Sequence, residues 1–243
     1  MITKFFTYLL AALASLQSFS QQVTNVVMVG PGGVTDDSKK ATSFIVVKQF
    51  PDNRFERLDY KKGGPMTKLR SFKGEDLKVL DGRYFEYAAN GTLILSGKYS
   101  DNKKDDYWRR YNDSGKIVSN IKYFNDSIVE VVDLNKKNTS TSYPDEREAA
   151  FPGGQKAWVK YLEKKLGQNN PADKSFHGGQ VYINFVVGTD GKIQDLFVSK
   201  SVEYILDETS LEIIGTAPDW IPAFQNGKTV RAYRRQPLTF IQE

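Results

Sequence analysis

The chain has 243 residues, 34 Lys and Arg against 29 Asp and Glu, a net charge of +5 and 13% aromatic residues. That aromatic content marks a folded chain, long enough for one large or two small domains. With no cysteine there is no thiolate nucleophile, thiolate metal site, disulfide or lipid-modified N-terminal cysteine, and the single histidine, His177, rules out histidine triads and multi-histidine metal centres. The modest basic excess is spread along the chain with no basic stripe, so no nucleic-acid partner is expected; nor is a cofactor.

Met1 to Ser20 reads as a secretory signal peptide: Lys4, an apolar run from Phe5 to about Leu16, then Ser18-Phe19-Ser20 with small residues where a signal peptidase reads. As a helix, Phe5–Phe19 would extend only about 22 Å, against roughly 30 Å of hydrocarbon. Cleavage before Gln21 is expected, and no other segment approaches spanning length. The expected location is the periplasm, with an uncleaved inner-membrane anchor as the alternative.

Residues 21–56 read as a leader followed by a short strand at Phe44-Ile-Val-Val47. Residues 57–132 then repeat: Tyr84, Tyr87, Gly91, Leu93 and Tyr99 recur at fixed spacing as Trp108, Tyr111, Gly115, Ile117 and Tyr123. A weaker copy runs through Arg57, Tyr60, Gly64, Met66 and Phe72. Each unit reads as a β-hairpin turning on Gly63-Gly64, Asn90-Gly91 or Ser114-Gly115, and lone hairpins are marginal, so the units must share a core. The aromatic ladder reads mainly as that core, and otherwise as a groove for a peptide or glycan. Residues 82–99, with Gly82, Tyr84, Tyr87, Asn90-Gly91, Leu93, Gly97 and Tyr99, resemble the MORN-like repeats of secreted envelope proteins of the Bacteroidetes type. In 106–123, Asp106 and Ile121 replace two of the glycines.

Residues 133–148 are polar and charged and read as a linker, and 149–243 as a second domain. Phe151-Pro-Gly-Gly154 leads into a helix over Gln155–Leu166, with Trp158, Leu162 and Leu166 on one face and Gly167 as C-terminal cap. Val181, Ile183, Phe185 and Val187 alternate along a half-buried strand that turns at Gly188-Thr-Asp-Gly191. Its return strand carries Ile193, Leu196 and Val198, with a break in alternation that a bulge absorbs. Asp207 is expected to cap a second helix, with Leu211, Ile214 and Ala217 or Ile213 on its inner face, and Pro218 ends it. After a turn at Asn226-Gly227, Lys228–Phe240 reads as a last strand, and Pro237 places it at a sheet edge.

The fold class is therefore α+β: a C-terminal three-stranded antiparallel sheet with two helices on one face, preceded by an all-β domain of hairpin repeats. Expected core anchors are Trp158, Phe185, Leu211, Ile214 and Trp220. No catalytic or metal site is expected. His177 reads as a loop or core histidine, and Glu208 and Glu212, four apart on a helix, as a solvated acidic face.

Phe151-Pro-Gly-Gly154, Val181-x-Ile183-x-Phe185, Asp190-Gly-Lys192, Leu206-Asp207-Glu208, Trp220-x-Pro222-Ala223, Gln225-Asn-Gly-Lys228 and Pro237-x-x-Phe240 together resemble the TonB C-terminal domain over residues 149–241. The resemblance implies a protein-binding module that adds an extended segment, from the periplasmic N-terminus of a TonB-dependent outer-membrane transporter, to its last strand. The residues so implied are Val230, Arg231, Ala232, Tyr233, Arg234 and Arg235. Unpaired edge amides and carbonyls suit such an addition, and the arginines either favour acidic partners or blunt the edge. A homodimer through the same strand is the other use of that edge. An energy transducer of this kind is expected to have an inner-membrane anchor and a long Pro-rich span, and neither stands out here. The alternative is therefore an envelope scaffold or adaptor without energy coupling.

Overall fold

The structure, a computed structural model, describes residues 21–135, 146–168, 171, 175 and 177–241. The signal-peptide reading of Met1–Ser20 and most of the linker lie outside the described residues.

The N-terminal unit is an antiparallel meander. Its strands are β1 (Gln22–Gly30), β2 (Gly33–Val34), β3 (Ser43–Gln49), β4 (Phe55–Lys61), β5 (Met66–Phe72), β6 (Leu80–Tyr87), β7 (Leu93–Ser100), β8 (Lys103–Tyr111), β9 (Ile117–Phe124) and β10 (Ser127–Val131). They lie in the order β10-β9-β8-β7-β6-β5-β4-β3-β1-β2. The sheet thus begins before the first repeat. Gln22–Gly30, expected as leader, pairs with β3 from Gln22↔Gln49 to Val29↔Ser43, because Val23, Val26, Val27 and Val29 are β-branched residues beside an apolar strand.

Local chemistry explains the repeat. Gly82 has φ +105, and Asp106, which replaces it one unit later, keeps a positive φ of +57, a conformation that Asp tolerates better than most side chains. A Cβ on Gly97 would lie 2.3 Å from the Trp108 ring, so this glycine lets the indole lie flat across β7. Tyr84, Tyr99 and Tyr123 then surround Trp108 at ring-centroid distances of 5.5, 5.0 and 6.4 Å. These four rings pack on one another, whereas Tyr60 and Tyr87 of the same repeat meet the C-terminal unit.

The C-terminal unit holds α1 (Gly154–Gln168), β11 (Gly179–Val187), β12 (Ile193–Lys200), α2 (Tyr204–Gly215), β13 (Ala223–Gln225), β14 (Lys228–Val230) and β15 (Ala232–Phe240). Its sheet order is β12-β11-β15, with β13-β14 as a separate hairpin. Asp195, at φ +48, marks the irregularity in the return strand, and the β11–β12 register shifts between Asn184 and Val186. Trp158, Phe185, Ile214 and Trp220 are buried in the core, whereas Leu211 is half-buried at its margin. Gly167 lies inside α1 rather than after it.

The two units join into one body through α2. Its N-cap is Glu203, which makes no side-chain capping bond. Asp207, expected as the cap, instead lies one turn inside and is fully buried. Its carboxylate accepts from Tyr60 Oη at 3.0 Å, from Ser201 Oγ and from the Val202 amide at 3.1 Å. Glu208 is 5% exposed rather than solvated, and is ion-paired with Lys48, itself 3% exposed. The reason is that α2 is packed on both sides. Leu206, Ile213 and Ile214 face the C-terminal core, while Tyr204 meets Phe44 and Tyr60 of the meander edge-on.

The meander also closes one edge of the C-terminal sheet. Thr92 bridges Lys200, the Ser201 amide donates to Gly91 O at 2.9 Å, and Tyr87 Oη donates to Val198 O at 2.9 Å. Arg83 donates to Leu196 O at 2.9 Å while forking onto Glu56 at 2.8 and 3.0 Å.

This junction titrates. Burial pushes the Asp207 carboxyl up to about 7, against the lowering effect of its hydrogen bonds. Burial also raises the Glu56 carboxyl, but the Arg83 charge and hydrogen bonds more than offset it and hold Glu56 below its usual range. Because the folded pKa of Asp207 exceeds its unfolded value, its contribution to stability is full below about 4 and is lost as pH rises through about 7. Glu56 contributes above its unfolded pKa and loses that contribution as pH falls through its lowered folded value. We expect thermal stability to peak near about pH 4–5, to fall from there to about pH 7 and to level off above it. Asp207→Asn should flatten that decline, since Tyr60 and Ser201 hydroxyls can accept from its amide; melting curves across about pH 4–8 check this.

Candidate partner-binding edge

Strand β15 is the outer strand of the C-terminal sheet. It pairs with β11 without a bulge from Gly179↔Phe240 to Val187↔Ala232, and among the described residues no strand lies on its other side. The expected single strand Lys228–Phe240 is in fact two. Val230 pairs with Ala223 in the β13–β14 hairpin, and Arg231 sits at the break before β15. The two pieces belong to different sheets, so the chain has to bend between them. Asn226 (φ +53) and Gly227 (φ +76) make the hairpin turn.

Pro237 sets the polarity of the edge. It stands opposite Tyr182 in an uninterrupted ladder and has no N–H, so it belongs where the backbone nitrogen faces away from β11. Backbone groups alternate along a strand. Hence Ala232, Arg234, Gln236 and Leu238 bond to β11, while Tyr233, Arg235 and Thr239 turn their N–H and C=O groups outward. At Pro237 there is no N–H to offer, and its carbonyl already accepts from Gln236 Nε2 at 2.7 Å.

Side chains sort these positions further. Gln236 accepts from Trp158 Nε1 at 2.8 Å, tying the strand to α1. Arg234 is spent on its own chain: it meets Glu148 Oε2 at 2.8 Å and donates to Ala149 O at 2.5 Å. Arg231 pairs with Asp195 at 2.6 Å on the surface. Arg235 is exposed, makes no ion pair among the described residues, and stacks 4.2 Å over the Tyr182 ring. Tyr233 is 79% exposed. Of the six expected contact residues, Tyr233 and Arg235 therefore combine outward backbone with available side chains. Ala232 and Arg234 brace the strand from behind.

Beside the start of β15 lies a cleft of about 380 Å³ lined by Glu146, Glu148, Phe224, Val230 and Ala232, among others. Residues at the end of the expected linker and just after it bridge the hairpin and the chain leading into it, at Arg147↔Phe224 and Ala150↔Ile221. Sequence reasoning missed this segment; the charges of Glu146, Arg147 and Glu148 made it look like linker. His177 is an exposed loop residue. No group of three or more His, Cys, Asp or Glu side chains among the described residues could hold a metal ion. Among them, too, no helix is long and apolar enough to cross a membrane.

Residues 171–241 match the family TonB_C, described as Gram-negative bacterial TonB protein C-terminal. The match takes in β11, β12, α2 and β13 to β15, and leaves Phe151-Pro-Gly-Gly154, α1 and the meander outside it. It supports a non-catalytic role in the TonB energy-coupling system. No curated protein and no solved structure matches the chain.

Proposed function

We propose that this chain is a periplasmic strand acceptor, in which β15 takes up an extended segment from the N-terminus of a TonB-dependent outer-membrane transporter. The observation that carries this reading is the contrast between the two edges of one small sheet. Edge β12 is closed by Thr92, Gly91 and Tyr87 of the meander, whereas among the described residues no strand covers edge β15. Main-chain bonds to Tyr233 and Arg235 supply the affinity, and Arg235 selects a partner with an acidic residue opposite it. The MORN-like meander acts as a rigid brace.

A titration of the full chain with a peptide from such a transporter segment tests the reading. Arg235→Pro removes an outward N–H without touching the β11 ladder and should weaken binding at least about tenfold. Arg235→Ala, which keeps the amide, should cost less and chiefly reduce the salt dependence. Equal binding by wild type and Arg235→Pro would remove β15 as the acceptor.

A second reading, an envelope scaffold without energy coupling, draws on the far end of the meander. Every residue of β10 is exposed, with Ile128 at 58% and Val131 at 70%, and Phe124 stands exposed beside it. Apolar edges of this kind favour association with another chain.

A further inference from the structure

The face of the C-terminal sheet that carries no helix holds two cations without counter-charges. Val181, Ile183 and Phe185 turn into the core under the helices, so by alternation Tyr182 stands on the opposite face, as does Arg235, which pairs with Asn184. The Arg235 guanidinium lies 4.2 Å over the Tyr182 ring from the β15 side, and Lys200 lies 5.6 Å from the same ring on the β12 side. Neither makes an ion pair among the described residues, whereas Arg231 and Arg234 each have a carboxylate.

The meander reaches this face as well. Its turns at Gly91 and Gly115 are one repeat, hence two strands, apart, and β12 and β15 are also two strands apart in their own sheet. Each step is about 10 Å. With Gly91 docked on Ser201 at the end of β12, Gly115 comes to rest at β15, and the place of a Cβ on it is 3.6 Å from both terminal nitrogens of Arg235. The turn is stiff. The Asn112 amide donates to Lys116 O at 2.9 Å, and Asn112 Oδ1 accepts from the Ser114 and Lys116 amides at 3.2 and 2.9 Å. Flanked by this backbone and by the Tyr182 ring, Arg235 loses less rotamer freedom on meeting an anion than a free surface arginine does.

We propose that the Asn112–Lys116 turn belongs to the strand-acceptor site, where it positions Arg235 to read one carboxylate of the incoming segment, that of the residue directly opposite Arg235. A residue paired across from Arg235 sends its side chain to the same sheet face, the face that the turn approaches. Charge complementarity sets the occupant: an extended segment with an acidic residue at that position, which fixes its register along β15. Lys200 adds to the positive field that the carboxylate meets. The inference rests on the strand-acceptor reading and gives the meander a part in recognition besides bracing.

The test titrates the full chain with a transporter-derived peptide that contains acidic residues, and with variants of it in which each acid is exchanged in turn for its amide. In wild type one exchange should weaken binding at least about tenfold, and the others less. Gly115→Asp sets a carboxylate on the turn, within reach of the guanidinium, in a residue type that tolerates the φ of +77 there. It should occupy Arg235 and bring the acidic and amide peptides to within about twofold of each other. Gly33→Asp makes the same change at φ +104 in the β1–β2 turn, where a Cβ meets nothing within 4 Å, and should keep the discrimination. Tyr182→Leu, which leaves the turn alone, should lower it about threefold, and decides the matter if Gly115→Asp does not fold. Discrimination as strong in folded Gly115→Asp as in Gly33→Asp, or none in wild type, would overturn the inference while weakened binding by Arg235→Pro kept the strand-acceptor reading. Wild-type binding by Arg235→Pro would remove both.

Discussion

Gly91→Ala should destabilise the chain by at least about 3 kcal/mol. Gly91 has φ +81, and a Cβ there would lie 2.0 Å from the Ser201 carbonyl oxygen. That oxygen is backbone at the entry to α2 and cannot swing aside, so the β6–β7 turn has to lift away. With it go the bond from the Ser201 amide to Gly91 O and the Thr92–Lys200 bridge. Gly115 provides the control. It holds the same turn position one hairpin later, at φ +77, but a Cβ there would meet nothing nearer than the Arg235 guanidinium at 3.6 Å. Gly115→Ala should therefore carry only the left-handed backbone penalty, about 1–2 kcal/mol. Denaturant melts of the two variants separate the turn's own conformation from its docking on the C-terminal unit. Equal losses would mean that the docking contributes little.

Trp220→Ala should cost about 3–5 kcal/mol, the range for emptying a large aromatic site in a core. The indole sits among Phe151, Trp158 and Phe185 at centroid distances of 5.8, 5.1 and 5.5 Å. Its backbone also fixes the turn between β11 and β12, since the Trp220 amide donates to Gly191 O at 2.8 Å. A Cβ on Gly191 would lie 2.3 Å from Trp220 O, so neither partner can retreat into the space vacated. The cavity left behind spans the contact between α1 and β11, and the neighbouring rings are already packed against one another. Trp220→Phe, which keeps part of the ring, should recover roughly half of the loss. A melting temperature unchanged in Trp220→Ala would contradict the placement of this cluster at the centre of the domain.

Much of this architecture was legible in the sequence, for identifiable reasons. Period-two alternation in Val181–Val187, the Gly188-Thr-Asp-Gly191 turn and Pro237 each have a local physical meaning, and each element formed where that meaning pointed. Trp158, Phe185 and Trp220 stood out as large apolar residues in helix or strand patterns, and they lie in the core. What was not legible depends on contacts between distant parts of the chain. Glu208 and Glu212 share a helix face, but only the arrival of Lys48 from β3 makes Glu208 a buried ion-pair partner. Asp207 stood at an apparent helix start, yet Tyr60 and Ser201 draw it inside the junction. The lysine ending the apolar run Phe44-Ile-Val-Val47-Lys48 was the one available hint, since a charge in a buried strand needs a partner. The break at Arg231 had no local signal either. Neither Gly nor Pro stands there, and the chain bends because β14 and β15 belong to different sheets.

The β15 edge carries the functional claim, and amide exchange across β15 and β10, with and without a transporter-derived peptide, tests it most directly. Strand addition predicts that the Tyr233 and Arg235 amides, open in the free chain, become protected on binding, that Ala232 and Arg234 stay protected throughout, and that Arg235→Pro loses the effect. Protection that appears instead along Ser127–Val131, or at neither edge while the peptide is bound, would contradict it.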